Sequence, residues 1–170
     1  WLNGQWLKHA LSEEQYQQRL MEWMCSESFF VSVLPHLKSR IDVFSEAGQW
    51  LQPLWAKDVS LSEDALVAVG LEHDVLANVL QFLVWRFESC GSWNRQVVEQ
   101  EIRWVAKAVG LQLKDVMPLV FVVLSGARQA ISAFDLAVLL GPDRTRARVR
   151  AGLDVIGGVS TKGAKRLDKS

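Results

Sequence analysis

Apolar side chains recur at helical intervals along nearly the whole chain. Leu20, Trp23 and Met24 lie at i, i+3 and i+4, and the run from Asp74 to Phe87 gives a broad apolar face. The segment from Met117 to Leu124 contains three valines, which favour a strand by propensity. No neighbouring run offers a second strand to pair with it, so we predict a buried helix there. The pattern therefore predicts an all-α fold built from short helices.

Several residues mark where these helices begin and end. Ser12 and Gln15 have the spacing of a capping box, in which each side chain bonds to the backbone of the other residue. Gly110 follows the amphipathic segment Val97–Val109 in the position where glycine commonly ends a helix. Gly141 is expected to end another helix, and Pro142 to occupy the first position of the last one.

Pro35 is predicted to end one helix near Leu34, because proline lacks an N–H group and crowds the preceding turn. A second helix is then expected over 37–44. This helix would turn Leu37, Ile41 and Phe44 inward, with Lys38 and Asp42 outside and Arg40 near the edge of the apolar stripe.

The last helix carries most of the basic side chains near the C-terminal end. Residues 141–170 contain eight basic and three acidic side chains, and because the whole chain is neutral, the preceding 140 residues carry a net charge of −5. Val149, Leu153 and Ile156 share one helix face, and Arg144 and Arg148 are expected on the opposite side. A basic end on an acidic body points to a polyanionic partner.

Composition excludes several classes of protein. The 170 residues are 49% hydrophobic and 22% charged, which excludes disorder, and no apolar run reaches the roughly 18 residues that a membrane span needs. Cys25 and Cys90 are far apart, as expected for reduced thiols in a cytoplasmic protein. His9, His36 and His73 are scattered, so we predict no metal site.

No phosphate-binding glycine loop or nucleophile elbow is present, so we predict no catalytic site and no cofactor in the chain itself. The sequence opens Trp1-Leu2-Asn3-Gly4 with no initiator Met and no signal-peptide pattern. We therefore expect a fragment or a processed product.

Five elements, taken in order, resemble a known family. They are Trp1-Leu2-Asn3-Gly4, Leu37-Lys38-Ser39-Arg40-Ile41-Asp42, Ser125-Gly126, Phe134-Asp135-Leu136-Ala137-Val138-Leu139-Leu140-Gly141, and the arginine-rich stretch from Arg144 to Leu153. Together they resemble the C-terminal anticodon-binding region of bacterial glutamyl-tRNA synthetases, over roughly residues 1–156.

The resemblance implies a helical cage of two small packed subdomains, residues 1–70 and 71–156, followed by a flexible basic tail over 157–170. Such a cage grips the anticodon arm of glutamate tRNA. The resemblance also implies a second partner, the catalytic domain of the parent ligase. ATP and Mg²⁺ belong to that domain and not to this fragment.

The resemblance also suggests RNA-binding residues. Arg40 matches the family arginine that reads the third anticodon base, a role suited to a planar guanidinium facing an unpaired base. Phe134 matches a family Phe that could support or stack on a base. The other candidates are Lys8 and Lys38 for phosphates, Arg128 in the loop after Ser125-Gly126, and Arg144 in the basic closing helix.

Each of these residues has a plainer interpretation. The basic side chains could be solvated or ion-paired on the surface, and Phe134 could belong to the core, as we expect of most of the eight tryptophans. Where the family commonly has Pro-Leu-Arg, this chain has Pro118-Leu119-Val120, so no residue is assigned to the first anticodon base. The alternative function is a helical protein–protein interaction domain without RNA binding, which the acidic body of the chain favours.

Overall fold

The computed structural model describes residues 11–24, 26–126 and 131–158, and these contain helices and no strand. The predicted all-α class is therefore confirmed. The helices are α1 (Glu13–Met24), α2 (Glu27–Leu37), a short 3₁₀ turn (Phe44–Glu46), α3 (Ala47–Trp55), α4 (Glu63–Val67), α5 (His73–Ser89), α6 (Arg95–Ala108), α7 (Leu113–Ser125) and α8 (Ala133–Val155).

The chain forms two compact units, residues 1–47 and 48–170. The first unit contains α1, α2 and the 3₁₀ turn. At the start of α1, the Ser12 hydroxyl accepts from the Gln15 N–H at 3.2 Å, and the Gln15 side-chain oxygen accepts from the Ser12 N–H at 3.0 Å. The predicted capping box is confirmed.

The prediction that a helix ends near Leu34 is wrong, because α2 runs through Pro35 to Leu37. Proline removes one backbone donor, but the turn around it is still closed by the Lys38 N–H, which donates to the Leu34 carbonyl at 3.0 Å. Val33 and Leu37, four residues apart, are both buried, so packing outweighs the cost of proline in the last turn.

The predicted helix over 37–44 is also wrong. The N–H groups of Arg40 and Ile41 both donate to the Leu37 carbonyl, so the chain makes a tight turn instead of starting a new helix. Val43 is extended (φ −130°, ψ 146°), and Phe44, expected inside, is 93% exposed. The i, i+4 spacing of apolar residues here does not correspond to a helix because the turn over 38–40 ends the helical backbone before Ile41.

The second unit contains the large apolar core. Helix α8 packs against α5, α6 and α7, α6 packs against both α5 and α7, and the short α4 packs on α7. The largest side chains sealed in this core are Leu66, Leu76, Leu80, Leu83, Phe87, Ile102, Leu119, Leu124, Ile131 and Leu136. The unit begins after Ala47, whereas the sequence analysis divided the chain after residue 70.

Two predictions about α6 and α7 are confirmed. Helix α6 ends at Ala108, and Gly110 (φ 75°) follows its C-cap while the Leu111 N–H reaches back to the Ala106 carbonyl at 2.8 Å. The valine-rich segment forms the buried helix α7, which ends at Gly126 in a left-handed conformation (φ 71°).

Helix α8 is broken at Gly141, whose backbone is not helical (φ 77°, ψ 168°). The predicted stop at Gly141 and restart at Pro142 are therefore confirmed. Next to the break, the Trp93 indole N–H and the Thr145 hydroxyl each donate to the Ala137 carbonyl at 3.1 Å. These two bonds connect Trp93 and the segment after Gly141 to the segment before it.

Over the described ranges, none of the helices is by itself long and apolar enough to cross a bilayer. Helices α6 and α7 meet the length and composition test together, but they are bent by 120° at the break between them. The same ranges contain no group of three or more histidine, cysteine or acidic side chains placed to hold a metal ion.

Candidate nucleic-acid interface

Arg40 lies in the exposed turn that follows α2. One of its guanidinium nitrogens donates to the His36 carbonyl at 2.6 Å and to the Ser39 hydroxyl at 3.4 Å. The positive charge therefore lies at the C-terminal end of α2, where the helix dipole favours a cation. The turn fixes the base of the side chain and leaves Arg40 exposed at the surface of the first unit.

Lys38 is exposed in the same turn, two residues before Arg40. Its ammonium group makes no ion pair with the part of the chain that the structure describes. Two of the predicted RNA-binding residues are thus exposed in one turn of the first unit, with the exposed Asp42 two residues after Arg40. Lys8 and Arg128 lie outside the described residues.

Arg148 was expected on the side of the last helix opposite Val149, Leu153 and Ile156, and its burial was not predicted. Its side chain is 3% exposed. It donates to three backbone carbonyls: those of Pro53 at 2.7 Å, Ala56 at 2.8 Å and Leu124. Burial lowers the pKa of Arg148 to about 10, with a further lowering from the charge of Arg144.

The physical reason is that α3 and α7 both end against α8. The last carbonyls of a helix have no intrahelical donor, and they carry partial negative charge. Pro53 and Ala56 lie at the end of α3, and Leu124 lies at the end of α7, so one guanidinium with five donors satisfies both ends. The Arg148 Nε is buried and has no hydrogen-bond partner among the described residues.

Arg144 lies one turn before Arg148 and also points toward the end of α3. It donates to the Ala56 carbonyl at 2.6 Å and is only partly exposed. Burial lowers the pKa of Arg144. The phosphate contact predicted for Arg144 stays a prediction, but its guanidinium already holds a structural contact.

The other two arginines of the closing helix also bind within the second unit. Arg146 donates to the Phe87 carbonyl at 2.8 Å and lies 5.9 Å from the centre of the Trp93 ring. Arg150 pairs with Glu88 at 2.6 Å. The basic sequence of this helix thus fastens the helix to its neighbours, because each of its four guanidinium groups already binds an internal acceptor.

Phe134 is the second residue of α8, and the structure gives it a partner that was not predicted from the sequence. The guanidinium carbon of Arg95 lies over the Phe134 ring, 5.6 Å from its centre. Arg95 also pairs with Asp135 at 3.0 Å and with Glu99 at 3.3 Å. The i, i+4 spacing of Arg95 and Glu99 signals the second pair, but no local spacing signals a contact across 39 residues.

Two tryptophans differ from the expected core position. Trp85 and Trp104 are 39% and 42% exposed, and both make edge-to-face contacts with the buried ring of Phe82 at 5.7 Å. Arg86 lies 4.5 Å from the centre of the Trp104 ring and pairs with Glu101. These rings line the outer side of α5 and α6.

The sequence is similar to a known family of domains. The sequence profile of the anticodon binding domain family matches residues 13–153, which cover most of the chain. The chain belongs to the anticodon binding domain family. The resemblance seen in the sequence is therefore confirmed, and this anticodon-binding domain is a tRNA-binding module by family.

Relatives of this anticodon-binding domain include the glutamate–tRNA ligases of Marinobacter nauticus, 34% identical over 169 residues, and Pseudomonas putida, 33% identical over 169 residues. The glutamate–tRNA ligase of Saccharophagus degradans is 31% identical over 169 residues. Each alignment covers 99% of this chain and 34% of the relative. The chain thus spans about one third of the length of these relatives.

Proposed function

We propose that this domain binds the anticodon arm of glutamate tRNA as part of a glutamate–tRNA ligase. The observation that carries the proposal is the similarity to glutamate–tRNA ligases over 99% of the chain, at 31–34% identity. The comparisons give no support to the alternative of a protein-interaction domain without RNA binding, which depended on the acidic body of the chain.

The proposed role of Arg40 is to read the third anticodon base. An anticodon loop is single-stranded, so its base edges are open to a planar donor group, and Arg40 is exposed on a turn whose backbone is fixed. A bidentate contact of this kind discriminates between bases by about 1–3 kcal/mol. Lys38 and Lys8 are proposed to contact phosphates, Arg128 and Phe134 to contact the loop, and Arg144 to contact the backbone.

The proposed partners are the glutamate tRNA and the catalytic domain of the ligase, in the cytoplasm. We assign ATP and Mg²⁺ to that catalytic domain and not to this chain. On this proposal the chain supplies recognition, and the chemistry of aminoacylation belongs to the rest of the enzyme.

The experiment is a binding titration of the 170-residue chain with a glutamate tRNA transcript at several salt concentrations. Neutralised phosphates release counterions, so the logarithm of the binding constant falls with the logarithm of salt concentration. We expect a clear negative slope and a preference over an unrelated tRNA of the same length. Binding that ignores the anticodon would contradict the proposal.

A further inference from the structure

Arg95 and Phe134 form one surface element of the second unit. Arg95 is the first residue of α6, and Asn94 caps that helix by accepting from the Val97 N–H at 3.0 Å. Phe134 lies in the first turn of α8. The starts of two helices thus bring a guanidinium over an aromatic ring, with the guanidinium carbon 5.6 Å from the ring centre.

Two carboxylates hold the guanidinium in place through its edge. The Arg95 Nε donates to Asp135 Oδ1 at 3.0 Å, and Nη1 donates to Glu99 Oε2 at 3.3 Å. Asp135 follows Phe134 in α8, and Glu99 is one turn along α6, so each helix contributes one acceptor. The Nη2 group has no hydrogen bond to the part of the chain that the structure describes.

The rest of the Arg95 side chain is open to solvent. Its side chain is 55% exposed, whereas those of Asp135 and Glu99 are 18% and 24% exposed. The two carboxylates are therefore largely buried beside the arginine. The guanidinium lies between the Phe134 ring and the solvent. A guanidinium is planar and weakly hydrated, so it accepts a flat ring on its open side.

We propose that Arg95, backed by Phe134, is a further RNA-contact residue of this domain, and that the solvent side of its guanidinium stacks on an unpaired base of the anticodon loop. The inference rests on the proposed function, because the family match is what makes a nucleobase the flat partner. It changes the role predicted for Phe134: the ring supports the arginine, and the arginine contacts the base.

A nucleobase fits this element better than a phosphate does. The carboxylates of Asp135 and Glu99 next to the guanidinium repel an anion, and with Arg103, which also pairs with Glu99, the four charges sum to zero. A neutral base stacks without that penalty, and stacking tolerates any base because every base has a π face. The remaining donors of Nη2 lie at the edge of the same group and can bond to an acceptor on that base.

The test compares Arg95→Lys and Arg95→Gln with the control Arg103→Gln. Arg103 is on the same helix, pairs with the same Glu99 at 2.7 Å and is 57% exposed, but it has no ring contact among the described residues. The control therefore removes one positive charge and one ion pair with Glu99, as Arg95→Gln does, and leaves the surroundings of Phe134 unchanged. Thermal melting of each variant checks that the fold is intact.

We expect Arg95→Gln to weaken binding of the glutamate tRNA transcript about tenfold, as loss of one stacked base does. Arg95→Lys should weaken binding by most of the same factor, because an ammonium group keeps the charge but lacks the flat face. Arg103→Gln should stay within about twofold. Equal affinities for Arg95→Lys and the unmodified chain would overturn the stacking role.

A spectroscopic readout separates stacking from a loss of fold. 2-Aminopurine is placed in turn at each position of the anticodon loop, and its fluorescence is measured at saturating protein. We expect quenching by the unmodified chain and by Arg103→Gln, and reduced quenching by Arg95→Gln, for at least one position. If Arg95→Gln quenches the fluorescence as strongly as the unmodified chain does at every loop position, the proposal for Arg95 fails.

The two proposals fail in different ways. If the unmodified chain binds the glutamate transcript no better than an unrelated tRNA, the proposed function is wrong, and the inference falls with it. If the unmodified chain prefers the glutamate transcript and Arg95→Gln binds with unchanged affinity and quenching, only the inference is wrong.

Discussion

The guanidinium of Arg148 donates to the carbonyl oxygen of Pro53 at 2.7 Å, although the two residues are 95 positions apart. The same side chain also reaches Leu124, so it holds the ends of α3 and α7 against α8. A buried carbonyl without a donor costs roughly 1–3 kcal/mol. This contact is therefore expected to be among the strongest single contributions to the stability of the second unit.

Replacing Arg148 tests this directly. Arg148→Met keeps a long unbranched side chain but removes the donors to three carbonyls. We expect it to lower the free energy of unfolding by about 3 kcal/mol or more. Urea denaturation followed by circular dichroism measures the change. The matched control is Arg150→Met on the exposed side of the same helix, where the pair with Glu88 contributes at most about 1 kcal/mol. Equal midpoints for the two variants would show that the carbonyls have other partners.

Arg40→Gln is expected to change selectivity more than stability. The turn that carries Arg40 is closed by backbone hydrogen bonds, so removal of the exposed guanidinium costs less than about 1 kcal/mol of stability. Discrimination between transcripts that differ only at the third anticodon base should fall by about 1–3 kcal/mol. Competition binding with the two transcripts measures this difference. A large loss of thermal stability with unchanged discrimination would make Arg40 a structural residue.

Lys38→Gln provides the contrasting result in the same turn. A phosphate contact carries no sequence information, so affinity should fall by a similar factor for the matched and the mismatched transcript. The slope of log binding constant against log salt should become shallower by about 1. Titrations of both transcripts at four or more salt concentrations measure the slope. An unchanged slope would remove Lys38 from the interface.

Gly141→Ala should destabilise the second unit through backbone strain alone. Gly141 has φ 77° and ψ 168°, a region that is almost restricted to glycine and costs about 1–3 kcal/mol for other residues. No atom lies within 4 Å of an added Cβ, so a steric clash does not contribute. Thermal unfolding measures the loss. Gly48→Ala is the control, because Gly48 lies in helix α3 with open space around it, and alanine there should be neutral or stabilising.

The sequence predicted those helix boundaries that depend on hydrogen bonds and backbone angles within a few residues. The bonds between Ser12 and Gln15 join residues three apart, and Gly110 and Gly141 adopt positive φ values that favour glycine. Each of these features is visible within a few residues of sequence. The family resemblance was likewise carried by short ordered motifs, and the profile match over 13–153 confirms it.

The errors have the opposite cause. The burial of Arg148 was not predicted, because its acceptors are 24 to 95 residues away and are backbone carbonyls, which the pattern of side chains does not reveal. The contact of Arg95 with Phe134 likewise spans two helices. Phe44 was placed inside by its spacing from Ile41 and Leu37, but the turn at Arg40 rotates it away from that face.

The break at Gly141 divides α8 into two segments with different contacts. The residues before it present Phe134 at the surface, and the residues after it bury Arg148 among backbone carbonyls. Because Gly141 breaks the helix, Phe134 and Arg148 lie on two separate segments, and the RNA contact proposed around Phe134 belongs to the first segment. On that proposal, a substitution near Phe134 that alters tRNA preference leaves the carbonyl contacts of Arg148 in place.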